Sequence, residues 1–228
     1  MLKGERHREF VLGHKDEPVY LKTCPQPLQD LALLILDTGV RPGEACKLEW
    51  PDVHLEPAIN ARFGYIHIAG GKSRYAKRNL SLTSRVSDML KARLAAKTSV
   101  WVFPSENGTP FLGTSLDHQH DDVRTTLKLP KDFVIHSLRH TMLTRLGEAG
   151  ADAFTIMRIA GHSSVTVSQR YVHPTPESLE RAFERLEDLN AQKFEDAASE
   201  QVSRNVVGIV SGIPTVERTF GNRRKRLK

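Results

Sequence analysis

Two hydrophobic periodicities alternate along the chain, and their order constrains the fold more than any other feature. Apolar residues recur at helical spacing before about residue 50 and after about residue 85. Between these regions, residues 64–82 instead show the period of two that is typical of strands. The order predicts an α+β fold, mostly helical, with one small three-stranded antiparallel sheet.

The predicted sheet lies around a glycine pair. Residues 64–69 alternate around Tyr65–Ile68, Gly70-Gly71 predicts a turn, and residues 76–82 predict the returning strand. Residues 53–57 can add a third strand.

Several helix boundaries can be predicted from single residues. Pro27 suits a first helical turn and Gly39 a helix end, Pro42 can begin a short helix, and Asp152 and Gly161 can cap and close another. Further helices are predicted over residues 86–94, 115–127 and 136–149, followed by a short segment over residues 164–172. A last helix is predicted to open at Thr175-Pro176 and to run through Leu179, Phe183 and Leu189.

Composition argues against several classes of protein. The longest strongly apolar run, Leu31–Leu36, is far below the roughly 20 residues that span a bilayer. Residues 1–10 are charged and lack the apolar core of a signal peptide. Two cysteines, Cys24 and Cys46, are too few for a disulfide framework and lack metal-site spacing, which fits a reducing cytosol.

The charge balance favours a nucleic-acid partner but is unevenly distributed. The net charge is +6 and the pI about 9.4. From Ala191 onward there are eight Lys/Arg and four Asp/Glu, a net +4, which leaves +2 for the rest of the chain. Composition therefore permits DNA binding without establishing it.

Four segments carry residues that suit phosphoryl transfer on DNA. They are residues 38–44 with Arg41 and Glu44, residues 70–74 with Lys72 and Arg74, residues 136–140 with His136 and Arg139, and Gly161-His162, followed nine residues later by Tyr171. Attack on an anionic phosphodiester builds negative charge that fixed arginines can meet. A nucleophile must also lose a proton and the leaving sugar oxygen must gain one, which histidine or lysine can serve. Since tyrosine has a pKa of about 10, we expect neighbouring cations to favour its ionisation.

Each of these residues also has an ordinary structural interpretation. Arg41 alone could be a surface ion-pair residue, Lys72 a solvated hairpin lysine, and Tyr171 a half-buried aromatic. His136 and His140 have the i, i+4 spacing of zinc ligands, but Arg139 between them disfavours a metal, so we predict none. We expect His140 to pack or hydrogen-bond locally. His118 and His120 are predicted to lie on the surface.

Taken together, the segments resemble the motifs of the tyrosine recombinase (phage integrase) catalytic domain. That family shows a TGxRxxE-like motif, a hairpin lysine, an HxxR motif, a GH motif and a nucleophilic tyrosine, and this chain has them in that order. Each motif alone is common, but the ordered set is specific. The resemblance runs from about Leu21 to Leu189.

The resemblance implies a role for each matching residue. Arg41 and Arg139 would clamp the scissile phosphate, Tyr171 would attack it, and His162 would hydrogen-bond it. Lys72 would protonate the departing 5′ oxygen, and His136 would assist proton transfer at the tyrosine. Glu44 would support the site and orient His136, and Arg74 would join Arg41, Lys72 and Arg139 in binding DNA.

The resemblance also implies a biochemical setting. The enzyme would cut and rejoin double-stranded DNA through a covalent 3′-phosphotyrosine, without metal, ATP or another cofactor. It would be a monomer when free and a homotetramer on paired sites, in the cytoplasm of a bacterium or derived from a phage, associated with the nucleoid. The domains expected are a polar segment over residues 1–25, the catalytic domain over residues 26–190, and a basic, partly disordered tail over residues 191–228.

Two other functions are compatible with the same residues. A type IB topoisomerase uses similar chemistry without synapsis, although relatives of that class tend to lack a histidine at the position of His136. The other is a non-catalytic DNA-binding remnant, and the presence of all the expected side chains argues against it.

Members of the family usually carry an N-terminal DNA-clamping domain, whereas only about 20 residues precede the first clear helix here. The last helix could dock on a neighbouring protomer, and the terminal basic run could be a solvated tail, a phosphate-binding arm or a remnant of expression.

Overall fold

The computed structural model describes residues 10–70, 77–172 and 176–211, without the side chains of residues 177, 178 and 201–211. The chain divides into two compact units, one ending at His173 and one beginning at Pro174. The helices of the first unit are α1 (Asp16–Thr23), α2 (Leu28–Thr38), α3 (Pro42–Cys46), α4 (Ser84–Ala95), α5 (Gly113–Thr126), α6 (Ile135–Glu148), α7 (Ala153–Ala160) and α8 (Val165–Gln169). Within the described ranges, none of the helices has the length and apolar character that crossing a bilayer requires.

Three short strands form the sheet: β1 (Val53–His54), β2 (Tyr65–Ile68) and β3 (Arg78–Ser81). They pair antiparallel in the order β1-β2-β3. Ile66 pairs with Val53 on one side and with Leu80 on the other. The predicted fold class is confirmed, although β1 is shorter than the predicted strand over residues 53–57.

Most of the predicted helix boundaries are close to the observed ones. Gly39 and Gly161 follow α2 and α7 in the left-handed region, with φ of 64° and 65°. The Asp152 carboxylate accepts hydrogen bonds from the backbone N–H groups of Phe154 and Thr155. The predicted short helix that begins at Pro42 ends at Cys46.

Helix α2 is the centre of the main core. Its apolar residues from Leu28 to Leu36 are almost all inaccessible to solvent, except for a partly buried Leu33. Helix α6 packs against α2 and continues into a smaller cluster with α7 and α8, formed by Leu143, Ile156, Ala160 and Tyr171. Tyr171 is therefore held by the apolar contacts of this smaller cluster and not by the main core.

The prediction that His120 lies on the surface is wrong, whereas His118 is exposed. His120 is 1% exposed because Leu116, His120 and Val123 share the buried face of α5. Its ring nitrogens lie 2.7 Å from the Tyr20 hydroxyl and 3.0 Å from the Phe133 carbonyl oxygen. Burial lowers the pKa of His120 and favours the neutral ring. Paired polar atoms allow this histidine to occupy the core.

The second unit contains one helix among its described residues, α9 (Pro176–Ser211). It begins at the predicted Pro176 but continues past Ala191, where the apolar periodicity of the sequence fades. Its exposed large apolar side chains are Leu179, Phe183, Leu186, Leu189 and Phe194.

A chain of ion pairs ties the first helix to the rest of the first unit. The buried Glu17 of α1 pairs with Arg145 of α6 and with Arg85 of α4, at 2.5 Å and 2.7 Å. Arg85 also pairs with Asp37 of α2. Burial raises the pKa of the Glu17 carboxyl, but hydrogen bonds from Arg145 and Arg85 outweigh that effect and hold the pKa below its usual value.

We predict that Glu17→Gln lowers the free energy of unfolding by about 1–3 kcal/mol near neutral pH, because a charged partner of two arginines is lost. A lowered pKa means that the stabilisation is complete above the unfolded pKa of about 4.3 and is lost as pH falls through the folded value. Urea unfolding should show the difference between variant and wild type shrinking as pH is lowered below about 4.3. The exposed Glu106→Gln is the control, and a difference that stays constant with pH would contradict the assignment.

Gly147 lets the tyrosine segment lie directly on α6. A Cβ at this position would be 1.8 Å from the Tyr171 carbonyl oxygen, far inside van der Waals contact. The glycine is thus required by close approach of two backbones.

We predict that Gly147→Ala lowers the melting temperature, because overpacking of about 1–3 kcal/mol exceeds the helix propensity gained from alanine, about 1 kcal/mol. Gly113→Ala in α5, where a Cβ would meet nothing within 4 Å, is the matched control and should be neutral or stabilising. Thermal unfolding followed by circular dichroism compares the two. Equal stabilisation by both substitutions would show that the contact with Tyr171 is not tight.

Candidate active site

The C-terminal end of α7 is the point around which the candidate site is built. Gly161 ends the helix, and the backbone N–H groups of Gly161 and His162 donate to the carbonyl oxygens of Arg158 and Met157, at 3.3 Å and 3.0 Å. This is a Schellman motif, which fixes His162 directly after the turn. The next carbonyl groups have no N–H partner within the helix and carry the partial negative charge of its C-terminus.

Three arginines from distant parts of the chain donate to those successive carbonyl oxygens. Arg78 Nε donates to Ile159 at 2.8 Å, Arg139 Nη2 to Ala160 at 2.6 Å, and Arg41 Nη2 to Gly161 at 2.6 Å. Arg139 Nη1 also donates to the carbonyl oxygen of Gly39, at the end of α2. The end of α7 therefore brings β3, α6 and the start of α3 to one place.

Glu44 connects two of these arginines. Its carboxylate accepts hydrogen bonds from Arg41 Nη1 at 2.8 Å and from Arg78 Nη2 at 2.8 Å, and also from the Arg41 backbone N–H. Burial raises the pKa of the Glu44 carboxyl, but Arg78 and Arg41 outweigh burial and hold the pKa below its usual value. Glu44 is thus anionic near neutral pH and fixes both guanidinium groups.

Positive potential remains at the cluster despite Glu44. Burial, together with the charges of Arg41 and Arg78, lowers the pKa of Arg139 to about 10. Burial and the charges of Arg139 and Arg41 lower the pKa of His162 to about 4. Arg139 stays charged at neutral pH and His162 is neutral, so the site is prepared for an anion.

The hydrogen bonds of His162 define its neutral tautomer. Arg139 Nη2, which can only donate, lies 3.3 Å from His162 Nε2, so Nε2 accepts. The proton is then on Nδ1, which donates to the Ser168 hydroxyl at 2.9 Å. Ser168 is completely buried in α8 and orients the ring.

Tyr171 lies two residues after α8, beside this cluster. It is 8% exposed, and its ring centroid is 6.4 Å from that of His162. Its hydroxyl is 3.3 Å from His140 Nδ1. Burial raises the pKa of Tyr171, and the charges of Arg170 and Arg139 offset that effect only in part. The expectation that cations lower the cost of ionisation holds for the sign of their contribution, but burial outweighs them here.

The structure brings Arg41, Arg139, His162 and Tyr171 together. His136, exposed on the first turn of α6, lines a cavity of about 570 Å³ with Arg41 and Glu44. Lys72 and Arg74 lie outside the described residues, so their predicted roles stay predictions.

Sequence reasoning missed two residues of this site. Arg78 faces inward with Leu80 in the alternation of β3 and is 8% exposed. The sequence did contain a signal for Arg78, because an arginine that alternates with a buried leucine in a predicted strand must face the core. His140 was expected to pack or hydrogen-bond locally, but its partner is the hydroxyl of Tyr171, 31 residues away. No local pattern in the sequence predicts that contact. Among the described residues, no group of three or more His, Cys, Asp and Glu could hold a metal ion.

Curated relatives match most of this chain. It is 27% identical over 177 residues to the tyrosine recombinase XerC of Pediococcus pentosaceus, an alignment that covers 74% of this chain and 58% of the relative. It is 33% identical over 164 residues to the tyrosine recombinase XerD of Corynebacterium glutamicum, covering 70% and 53%. The integrase of Salmonella phage P22 is 24% identical, covering 73% and 44%. The chain thus spans about half the length of the curated relatives it matches.

Solved structures share the fold. The Tn1549 transposon integrase in complex with circular intermediate DNA superposes with a TM-score of 0.65 at 21% identity, covering 81% of this chain and 69% of that one. The XerA recombinase superposes with a TM-score of 0.60 at 22% identity, covering 81% and 66%.

The family itself follows from the sequence match. The model of the phage integrase family matches residues 12–178, which include α1 through α8 and the whole sheet. The chain therefore belongs to the phage integrase family.

Proposed function

We propose that this chain carries the catalytic domain of a site-specific DNA recombinase, which cuts and rejoins strands through a covalent 3′-phosphotyrosine without metal or ATP. The observation that carries the proposal is a buried tyrosine, Tyr171, beside Arg139 and His162 at a cluster of positive potential. Membership of the phage integrase family supports the same chemistry.

Arg41 and Arg139 bind the scissile phosphate. A guanidinium has five N–H donors in a planar fork that suits a phosphate, and the contacts of Arg41 with Glu44 and Gly161 use its Nη1 and Nη2 groups once each. Arg41 has a side chain 35% exposed, so it can reach a ligand from solvent. Arg139 is 2% exposed and supplies a charge in a low-dielectric setting, where its effect on a bound anion is larger.

His162 becomes a phosphate donor when the anion arrives. In the free site, burial and the charges of Arg139 and Arg41 keep the ring neutral, and Nε2 accepts from Arg139. A bound phosphate adds negative charge and favours protonation of Nε2. The ring can then donate to a non-bridging oxygen while Ser168 keeps it in place.

Tyr171 attacks the phosphorus atom, and the bond from phosphorus to the 5′ oxygen breaks. Lys72 gives the 5′ oxygen its proton, while His136, which lines a cavity with Arg41, assists proton transfer at the tyrosine. The phosphotyrosine bond conserves the energy of the phosphodiester, so attack by a 5′ hydroxyl rejoins the strand without ATP. The same substrate implies an association with the nucleoid and, for strand exchange, assembly of four copies on paired DNA sites.

A nicked suicide duplex tests the mechanism. Cleavage releases a short fragment that carries the 5′ hydroxyl needed for rejoining, and its loss traps the covalent intermediate. A pool of such duplexes, tiled across the replicon that carries the gene, should yield a protein–DNA adduct on Tyr171. Tyr171→Phe, which keeps the ring but not the hydroxyl, should form none, and EDTA should not change the yield. The protein is used with any segment that its gene encodes before Met1. An adduct on another residue, or none at all with the complete protein, would overturn the proposal.

A plasmid assay separates a recombinase from a topoisomerase. On DNA that yields the adduct, the account predicts strand exchange between two copies of the site, with products that change length on a gel. Steady relaxation of supercoiled plasmid with one site, and no exchange with two, would instead identify a type IB topoisomerase activity. DNA binding with neither the adduct nor either product would identify a non-catalytic remnant.

A further inference from the structure

We propose that His140 accepts the proton of the Tyr171 hydroxyl during strand cleavage and returns it during rejoining, a role that rests on the proposed function. Its Nδ1 lies 3.3 Å from Tyr171 Oη, and the two ring centroids are 5.2 Å apart. The separation is long for a hydrogen bond, as contacts in catalytic sites without substrate often are. His140 is half-buried on α6, directly after Arg139.

Burial of Tyr171 creates the need for an acceptor. The tyrosine is 8% exposed, so a proton leaving its hydroxyl has little access to bulk water. Burial also raises the pKa of Tyr171, and nearby arginines offset this only in part. Preliminary ionisation is therefore costly, whereas transfer to a base during attack avoids a free phenolate.

In both cleavage and rejoining, each bond that forms is matched by one that breaks, and each proton released has an acceptor. In cleavage, Tyr171 Oη forms a bond to phosphorus, its proton passes to His140 Nδ1, and the 5′ oxygen departs with a proton from Lys72. His140 begins neutral, with its proton on Nε2, and ends as imidazolium. In rejoining, the 5′ hydroxyl attacks phosphorus and loses its proton to Lys72, and His140 returns a proton to the departing tyrosine oxygen.

Among the described residues, the charged and titratable groups near the pair come from three elements. Arg139 lies on α6, Arg170 follows α8 with its guanidinium carbon 5.7 Å from the Tyr171 ring centroid, and His162 follows α7. Positive charge from Arg139 and Arg170 opposes protonation of a neighbouring imidazole. A neutral His140 is thus compatible with its surroundings, and the charge it gains in cleavage is returned in the next step.

The test is single-turnover cleavage of the suicide duplex that traps the wild-type adduct, prepared with sulfur in place of the bridging 5′ oxygen. A thiolate leaves without protonation, so the rate then reports deprotonation of Tyr171 and not the action of Lys72. We expect His140→Gln to slow adduct formation by roughly 10²-fold or more, the usual contribution of a general base, with little change in DNA affinity. The wild-type rate should fall as pH is lowered through the range in which imidazole is protonated, and His140→Gln should lose that dependence.

His118→Gln, at an exposed histidine of α5, is the control for histidine replacement and should behave as wild type. His136→Gln, one helical turn before His140, tests the competing acceptor. A pH dependence lost in His136→Gln and retained in His140→Gln would overturn the role of His140. So would an unchanged rate in His140→Gln.

Two measurements exclude a merely structural role. Added imidazole should restore adduct formation to a folded His140→Ala variant, since packing alone would not be rescued by a base. In the DNA-free protein, ¹H–¹⁵N spectra of the histidine ring should show His140 Nδ1 without a proton at about pH 8; a proton there would contradict the proposal. If the wild type formed no adduct, the proposed function itself would fail and this role with it, whereas a normal wild-type adduct with unaffected His140 variants would overturn the role alone.

Discussion

The unpaired carbonyl groups at the end of α7 are the constraint on which the site depends. A Schellman turn at Gly161 leaves the carbonyl oxygens of residues 159–161 facing outward from the helix, and arginines from β3, α6 and the start of α3 donate to them. Each arginine thereby gives a hydrogen bond to a carbonyl group that would destabilise the fold if it were left without one. The contacts that hold the fold together are the same contacts that collect positive charge, so the site is a consequence of how the helix ends.

Concentrated charge has two opposite effects on the groups that do chemistry. Together with burial, which is the larger cause, it keeps His162 neutral and lowers the pKa of Arg139 while still leaving Arg139 charged at neutral pH. It also partly offsets the burial that raises the pKa of Tyr171. An incoming phosphate would relieve the repulsion among the arginines and favour a protonated His162, so binding and activation are coupled through one electrostatic field. This field does not itself remove the proton of the Tyr171 hydroxyl, for which the neighbouring His140 is the proposed acceptor.

Local sequence signals predicted the elements because their causes are local. Gly39 and Gly161 end helices through their backbone freedom, Asp152 caps one through its own carboxylate, and the alternation from Tyr65 to Ile68 reflects one buried face of a strand. The resemblance placed Arg41, Arg139, His162 and Tyr171 in order, and the fold brings them together. What could not be predicted depends on tertiary contacts. Arg78 and Glu44 meet across 34 residues, and His120 is paired with Tyr20, 100 residues away. His140 meets Tyr171 across 31 residues, where Gly147 also allows the two backbones to approach closely.

We propose that the arginines fixed at the end of α7 bind a DNA phosphate that faces Tyr171. A crystal structure of Tyr171→Phe bound to the duplex that the wild type cleaves tests it most directly. We expect one phosphate within about 3 Å of donors from Arg41, Arg139 and His162. It should lie in line with the position of the missing hydroxyl, and the arginines should keep their contacts with the carbonyl groups. A phosphate held elsewhere, or arginines that leave the α7 carbonyl groups to bind it, would contradict the account.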